Sequence, residues 1–259
     1  MTYCLALRLR DGLVFLADTR TNAGVDNVGT YRKMHVMQPA PDRLFVIESA
    51  GSLATTQEVL DRMERDLAGE GHESLATVSH LFEAALYLGR LSREVALSHR
   101  DGLNEVGADA TATFILGGHV GHERPDILLV YPEGNYIRAS DDRPFLQIGE
   151  SKYGKFMLEL AVEAHVDLVT AAKIALGSML STAAANLSVG PPYDIGFYFN
   201  DTRTLSQFRI DSDSPLLEKL RKVWERHLLD GIAKLPAITQ DDLTEIDDPI
   251  DIEIVEPTE

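Results

Sequence analysis

The N-terminal stretch of the chain reads Met1-Thr2-Tyr3-Cys4-Leu5-Ala6-Leu7-Arg8-Leu9-Arg10-Asp11-Gly12-Leu13-Val14-Phe15-Leu16-Ala17-Asp18-Thr19-Arg20. Two apolar, strand-like runs at 3–9 and 13–17 flank Asp11-Gly12, a dipeptide that strongly favours a hairpin turn. A hairpin returns the chain antiparallel to itself, so the end of its second strand lies beside the start of its first. The sequence therefore predicts that Asp18 lies next to Thr2.

Thr2 is a candidate nucleophile because only one residue precedes it. If Met1 is removed, Thr2 carries a hydroxyl and a free α-amine. An α-amine titrates at about pH 8, so it can act as the base for the hydroxyl of its own residue. While Met1 is attached, the nitrogen of Thr2 is a peptide nitrogen and cannot act as a base. The sequence therefore predicts an inactive precursor and an active trimmed form.

Lys33 and Gly51 can supply the remaining parts of an acyl-transfer site. An ammonium near the threonine hydroxyl favours the alkoxide, and Asp18 can hold that ammonium in place. Gly51 stands between a predicted strand and a helix start, where its backbone N–H can bind an oxyanion. Taken singly, Thr2 also reads as a strand start, Asp18 as a turn residue and Lys33 as a surface charge. Their order and spacing together favour catalysis.

Composition restricts the classes of protein to which the chain can belong. The 259 residues are 44% hydrophobic, which is enough for one large domain with a substantial core. A net charge of −17 argues against nucleic acid and anionic membranes as partners. There is no run of eighteen apolar residues and no signal peptide, so we expect no membrane span and a cytoplasmic location. A single cysteine, Cys4, suits that location and excludes an internal disulfide.

Much of the negative charge lies at the C-terminus. Residues 237–259 contain nine acidic residues and no lysine or arginine. We therefore predict a domain at 1–235 followed by an acidic, solvated tail at 236–259. Residues 250–254 alternate between isoleucine and acid like a strand, so docking of this tail on a neighbouring subunit remains an alternative.

The order of predicted elements is strands, two helices, strands, two helices and strands. This segregation predicts an α+β domain in which antiparallel sheets are covered by helix pairs. The helices are predicted at 53–69 (capped by Ser52), 75–98, 151–164, 167–185 (capped by Asp167) and 214–230. The core face of the first is predicted to comprise Leu53, Thr56, Leu60, Met63 and Leu67. The helix at 167–185 is apolar on more than one side, which indicates cover on two sides or contact with a partner chain.

Other kinds of site find little support in the sequence. The histidines lack the spacing of metal ligands, and the glycines do not form a phosphate-binding motif. No Gly-x-Ser-x-Gly occurs. We therefore expect no metal and no cofactor.

Several of these segments resemble a known family. Thr2, Ala17-Asp18-Thr19-Arg20-Thr21-Asn22, Arg32-Lys33-Met34 and Ser49-Ala50-Gly51 are similar to the N-terminal signature of proteasome β-subunits. Residues 1–4 with 17–27 resemble more closely the bacterial Anbu (ancestral β-subunit) group. The resemblance is specific over residues 1–60 and continues in layout to about residue 230. It implies a four-layer αββα N-terminal-nucleophile hydrolase sandwich.

The resemblance also implies roles for individual residues. Thr2 is the nucleophile, its freed α-amine carries the proton, Lys33 lowers the pKa of the hydroxyl with Asp18 as partner, and Gly51 forms the oxyanion hole. Further catalytic positions, around the amine, are Ser151, Asn186 and Ser188. Substrate-binding positions are Thr21 and Asn22, on an edge strand that pairs with an extended peptide, and Ser49 and Leu53, in the pocket for the residue before the cut.

The chain departs from the proteasome pattern at three places. Asn186 stands where proteasomes usually carry aspartate, the interval from Asp18 to Lys33 is slightly short, and residues 149–154 include the charged Glu150 and Lys152. The expected function is a cytoplasmic, cofactor-free threonine peptidase that assembles with itself into a ring or helical stack. A weakly active or inactive assembly subunit, and an amidase acting on a non-peptide amide, remain alternatives. The sequence does not indicate an unfoldase partner.

Overall fold

The structure is a computed structural model that describes residues 2–22, 28–70 and 73–244, without the side chains of Asn22, Val28 and Glu70. By internal contacts the chain divides into two compact units, Met1–Arg221 and Lys222–Glu259. In the second unit, the last helix runs to Ala233 and a short 3₁₀ helix spans Gln240–Asp242. The domain boundary near residue 235 stays a prediction, and the alternating segment 250–254 lies outside the described residues.

The described residues form β-strands and α-helices. The strands are β1 Tyr3–Arg8, β2 Gly12–Asp18, β3 Arg20–Asn22, β4 Val28–Thr30, β5 Met34–Ala40, β6 Arg43–Gly51, β7 Ala112–Val120, β8 Asp126–Val130, β9 Tyr136–Arg138, β10 Phe145–Gly149, β11 Tyr193–Phe199 and β12 Thr204–Ile210. The α-helices are α1 Leu53–Arg65, α2 Leu81–Glu105, α3 Lys152–Ala161, α4 Leu168–Ala185 and α5 Pro215–Ala233.

Two five-stranded antiparallel sheets organise the first unit. Their strand orders are β10-β1-β2-β11-β12 and β5-β6-β7-β8-β9, and β3 pairs separately with β4. The N-terminal hairpin has the predicted geometry, since Cys4 pairs with Ala17 in the β1–β2 register. The prediction of an α+β fold with antiparallel sheets is therefore confirmed.

Contacts between elements explain why both sheets are apolar on each face. Strands β1 and β10 contact β6, β7 and β8, so the two sheets pack against each other. The α1–α2 pair contacts β6, β7 and β8, and α4, which packs with α3, contacts β1 and β2. Along β6 the side chains alternate accordingly: Phe45 and Ile47 join the cluster under α1 and α2, whereas Leu44 and Val46 join the cluster between the sheets.

Helix α1 begins as predicted but presents a different face to the core. Ser52 caps it, with its Oγ accepting a hydrogen bond of 3.3 Å from the N–H of Thr55. The prediction that Leu53 belongs to the core face is wrong, because Leu53 is 40% exposed in the first turn. Val59, which is fully buried, supplies the missing core contact further along the helix. The regular helix ends at Arg65, and the chain turns out of the helical conformation at Gly69, whose φ is +94°.

Helix α2 begins six residues later than the periodicity of the sequence predicts. Residues 74–79 form turns instead, in which Thr77 Oγ1 accepts a hydrogen bond from the N–H of Ser74. The carboxylate of Glu83 then accepts from the N–H groups of Ser79 and His80, which sets the helix start at Leu81. Leu75 and Val78 are nevertheless buried, so they contribute to the core from outside the helix.

Helix α4 combines high apolarity with burial. Within the described residues it is the one helix long and apolar enough to cross a bilayer by length and composition alone, and 56% of that stretch is buried. Asp167 caps it as predicted, accepting hydrogen bonds of 3.0 Å from the N–H groups of Val169 and Thr170. Its contacts with β1, β2 and α3 are those of a core helix.

Glu48 is an acid in the middle of the apolar core. It follows Val46 and precedes Ala50 on the side of β6 that faces the other sheet, and its exposure is 0%. Neither carboxyl oxygen has a partner in hydrogen-bond geometry among the described residues. Burial raises the pKa of Glu48 well above its ordinary value, and the nearby Leu16 backbone offsets only part of that rise. Burial therefore favours the neutral, protonated form of this side chain.

Glu48→Gln should change how the free energy of unfolding depends on pH. Because the pKa is higher in the folded state, wild-type stability is full below the unfolded pKa and falls as pH rises towards the folded pKa. The loss is about 1.4 kcal/mol per pH unit. Urea unfolding at pH 5 and pH 8 should show that the free energy of unfolding declines less in Glu48→Gln than in the wild type. Glu105→Gln, at an exposed site, should behave like wild type. Equal declines in all three proteins would mean that Glu48 is not a buried neutral acid.

Candidate active site

One cavity of about 530 Å³ brings together six of the predicted site residues. These are Thr2, Thr21, Lys33, Ser49, Gly51 and Leu53. Tyr31, Ala50, Thr56 and Gly149 complete its lining. The candidate nucleophile, the candidate ammonium and the candidate oxyanion donor thus share one space.

The ammonium of Lys33 is held by a buried ion pair. Its Nζ lies 2.6 Å from Asp18 Oδ1 and also donates to the carbonyl oxygen of Arg20 at 2.7 Å. The side chains of Lys33 and Asp18 are only 5% and 0% exposed. Asp18 accepts two further hydrogen bonds, from the N–H of Tyr3 to Oδ1 at 2.9 Å and from the N–H of Gly190 to Oδ2 at 3.2 Å. The carboxylate of Asp18 thus balances the charge of the ammonium, and the two acceptors, Asp18 and Arg20, fix its direction.

The pKa of Asp18 reflects two opposing influences. Burial raises it above the ordinary value, and the charge of Lys33, with the hydrogen bonds from Lys33, Tyr3 and Gly190, lowers it. An ion pair removed from water in this way is stable only when its other polar atoms are satisfied. The two backbone donors meet that condition for the carboxylate.

Strand β10 and helix α4 position Thr2 and the start of β1. Tyr3 pairs with Gly149 of β10, and the N–H of Glu150 donates to the carbonyl oxygen of Thr2 at 2.7 Å. Gly149 has φ +81°, and a Cβ there would lie 1.9 Å from that carbonyl oxygen. Only glycine permits this approach. On the other face of β1, Tyr3 hydrogen-bonds to Ser178 of α4 at 2.7 Å and fixes the start of the strand.

Gly51 marks the bend between β6 and α1. Its φ is +112°, and a Cβ would lie 2.4 Å from the carbonyl oxygen of Thr111. The residue is exposed and lines the cavity, so its backbone is accessible to a ligand there. This conformation, which disfavours side chains, fits the predicted role of an oxyanion donor.

The other predicted residues lie away from the cavity lining. Ser151 precedes α3 and lines a separate cavity of about 360 Å³. Asn186 donates through Nδ2 to Glu150 Oε2 at 3.0 Å and accepts through Oδ1 from the N–H of Ser188 at 2.9 Å. Asn22 pairs with Val28 through the backbone, and its side chain lies outside the described part.

Three contributors to the site were not predicted from the sequence. Gly190 and Arg20 act through backbone atoms, which carry no residue-type signal, although the adjacent Pro191-Pro192 marks an unusual turn. Glu150 was noted only as a departure from the proteasome pattern, yet it contacts both Thr2 and Asn186. Within the described ranges, no group of three His, Cys, Asp or Glu residues is arranged to hold a metal ion.

Comparison with known proteins identifies the family. No protein-family model matches the sequence. No curated protein matches it. Solved structures do: a (Gly-1) mutant of Anbu from Hyphomicrobium sp. strain MC1 is 40% identical, with a TM-score of 0.84 over 92% of this chain and 100% of that one. Anbu (ancestral β-subunit) from Yersinia bercovieri is also 40% identical, with a TM-score of 0.83 over 92% and 100%.

A third structure shows one of these proteins assembled. The helical assembly of the Anbu complex from Pseudomonas aeruginosa is 37% identical, with a TM-score of 0.85 over 93% of this chain and 99% of that one. By fold and sequence the chain is thus a proteasome-like protein of the β-subunit class. Within that class, the chain belongs to the Anbu family.

Proposed function

We propose that this chain is an N-terminal threonine peptidase, active after removal of Met1, with the four-layer αββα sandwich of N-terminal-nucleophile hydrolases. The observation that carries the proposal is the shared cavity of Thr2, Lys33 and Gly51, in which Asp18 anchors the lysine.

The proposed reaction begins with attack by Thr2 Oγ on the carbonyl carbon of a peptide bond. The new C–O bond forms as the hydroxyl proton passes to the α-amine of Thr2, and the N–H of Gly51 stabilises the oxyanion. The C–N bond then breaks, and the α-ammonium returns its proton to the leaving nitrogen. Water next attacks the ester, giving a proton to the amine, and the acid product leaves as Thr2 Oγ regains a proton. Lys33 stabilises the negative charge that develops on Oγ as it attacks the carbonyl carbon and again as it leaves the acyl group.

The proposal includes an extended peptide as the substrate and a homo-oligomer as the assembly. The exposed edge of the β3–β4 pair, with Thr21 on the cavity, supports binding of an extended peptide as an additional strand. The helical assembly of the Pseudomonas aeruginosa protein supports a homo-oligomer, as a ring or a helical stack. We also propose a cytoplasmic location, which the single cysteine supports.

Intact mass combined with adduct mapping tests the function. Protein purified from its native cells is expected to be lighter by one methionine and to form a covalent adduct at Thr2 with an electrophile selective for N-terminal threonine. Full retention of Met1 would favour an assembly subunit without catalysis. An adduct at Thr2 with no peptide hydrolysis in a substrate screen would favour an amidase acting on a non-peptide amide.

A further inference from the structure

Glu150 is a largely buried acid beside the candidate nucleophile. It is 9% exposed, and its N–H donates to the carbonyl oxygen of Thr2 at 2.7 Å, so residues 150 and 2 lie side by side. Its recorded side-chain partner is the neutral amide of Asn186, at 3.0 Å. Among the described residues, no lysine, arginine or histidine pairs with it.

A carboxylate with so little access to water needs a positive partner. Transfer of an unpaired carboxylate out of water is costly, and buried charges in proteins are normally paired. One hydrogen bond from an amide does not supply that charge. Removal of Met1, however, creates an α-amine on the residue next to Glu150, and this amine is a cation whenever it holds a proton, as it does after accepting one from the hydroxyl of Thr2.

We propose, on the basis of the proposed function, that Glu150 is a positioning residue whose carboxylate holds the freed α-amine of Thr2 in place for proton transfer. Asn186 orients this carboxylate through its Nδ2, and Ser188 in turn fixes the amide through its own N–H. The loop after α4 thereby acts on Thr2 through Glu150. The same loop holds Asp18 through Gly190, so it supports both the amine and the ammonium of Lys33.

Other charged groups near residue 2 do not replace Glu150 in this role. Asp18 and Lys33 are paired with each other. The guanidinium of Arg20 donates to the carbonyl oxygen of Leu187. Glu48 is fully buried between the two sheets, where burial raises its pKa and so disfavours its charged form. Apart from the buried Glu48, Glu150 is the acid among these groups of the described residues that no cation already pairs with.

The pKa of the Thr2 α-amine, measured on protein with a bared Thr2, tests the proposal. If mass shows that Met1 is retained, a removable leader in place of Met1 exposes the same amine. Competitive acetylation across pH, quantified by mass spectrometry, gives the pKa without any need for turnover. Glu150→Gln should lower it by about 1 unit, because a nearby negative charge stabilises the ammonium. Glu150→Asp should retain most of the wild-type value.

Two further variants separate charge from structure. Glu163→Gln removes the same charge from an exposed site and should leave the amine pKa unchanged. The double variant Glu150→Gln with Asn186→Asp moves the carboxylate across the hydrogen bond and should restore the value lost in Glu150→Gln. Thermal unfolding checks that each variant is folded.

The outcomes distinguish this inference from the proposed function. An amine pKa in Glu150→Gln that shifts no more than in Glu163→Gln overturns the role of Glu150, even if the wild-type protein forms an adduct at Thr2. A wild-type protein that forms no adduct overturns the peptidase proposal, while the amine pKa still reports on Glu150.

Discussion

Thr2→Ala is expected to abolish covalent labelling by an electrophile selective for N-terminal threonine and to abolish peptide hydrolysis. The variant lacks the hydroxyl that forms the ester, whereas its α-amine and the surrounding strands are retained. Thr2 immediately precedes β1 and is only partly buried, so the fold should tolerate the change. Intact mass should show that Met1 is still removed, because methionine is generally trimmed when the next residue is small, and alanine is as small as threonine or smaller. Size-exclusion chromatography should show unchanged assembly.

Thr2→Ser is the matched control for that experiment. It keeps a hydroxyl and an α-amine on the same residue, so labelling should persist, with a rate altered by the lost methyl group. Labelling of the alanine variant at the wild-type rate would remove Thr2 from its role and direct attention to another nucleophile.

Lys33→Ala is expected to lower the rate of peptide hydrolysis by at least about 10²–10³-fold, the usual effect of deleting one preorganised electrostatic group. The ammonium is fixed by Asp18 at 2.6 Å and lines the cavity with Thr2, so no water molecule reproduces its charge or direction. The same change leaves Asp18 buried without its cation, which costs about 3–5 kcal/mol of folding stability. Rates must therefore be measured at a temperature where circular dichroism shows a folded variant.

Lys173→Ala provides the control for Lys33→Ala. Lys173 is exposed on α4, so its loss should change neither rate nor stability appreciably. A folded Lys33 variant that hydrolyses peptides at nearly the wild-type rate would mean that another group activates the hydroxyl of Thr2.

The fold was predictable where hydrophobic period and turn chemistry agree. The Asp11-Gly12 turn and the runs around it predict the hairpin that places Asp18 beside the start of β1, and Ser52 and Asp167 predict two helix starts. The prediction failed where side-chain hydrogen bonds override periodicity. Leu75 and Val78 follow a helical spacing, yet Glu83 sets the start of α2 at Leu81 because it binds the backbone there.

The candidate site was predictable only in part, and for a similar reason. Residue types indicated Thr2, Lys33 and Gly51, because hydroxyl, ammonium and glycine each have a recognisable chemistry. The backbone N–H of Gly190 and the carbonyl of Arg20 carry no such indication, since every residue has these groups and only the tertiary fold directs them. Glu150 was visible as a charge but not as a neighbour of Asn186, because 36 residues separate the two.

The hydrogen bonds around Asp18 have a consequence for synthesis of the chain. Its carboxylate receives the N–H of Tyr3 from 15 residues away and the N–H of Gly190 from 172 residues away. On the ribosome, the nascent chain therefore lacks the hydrogen bond from Gly190 to Asp18 until Gly190 has emerged and β11 has paired with β2. A truncated product that ends before this point cannot complete the hydrogen bonds around Asp18, so this array forms only when most of the chain has been translated.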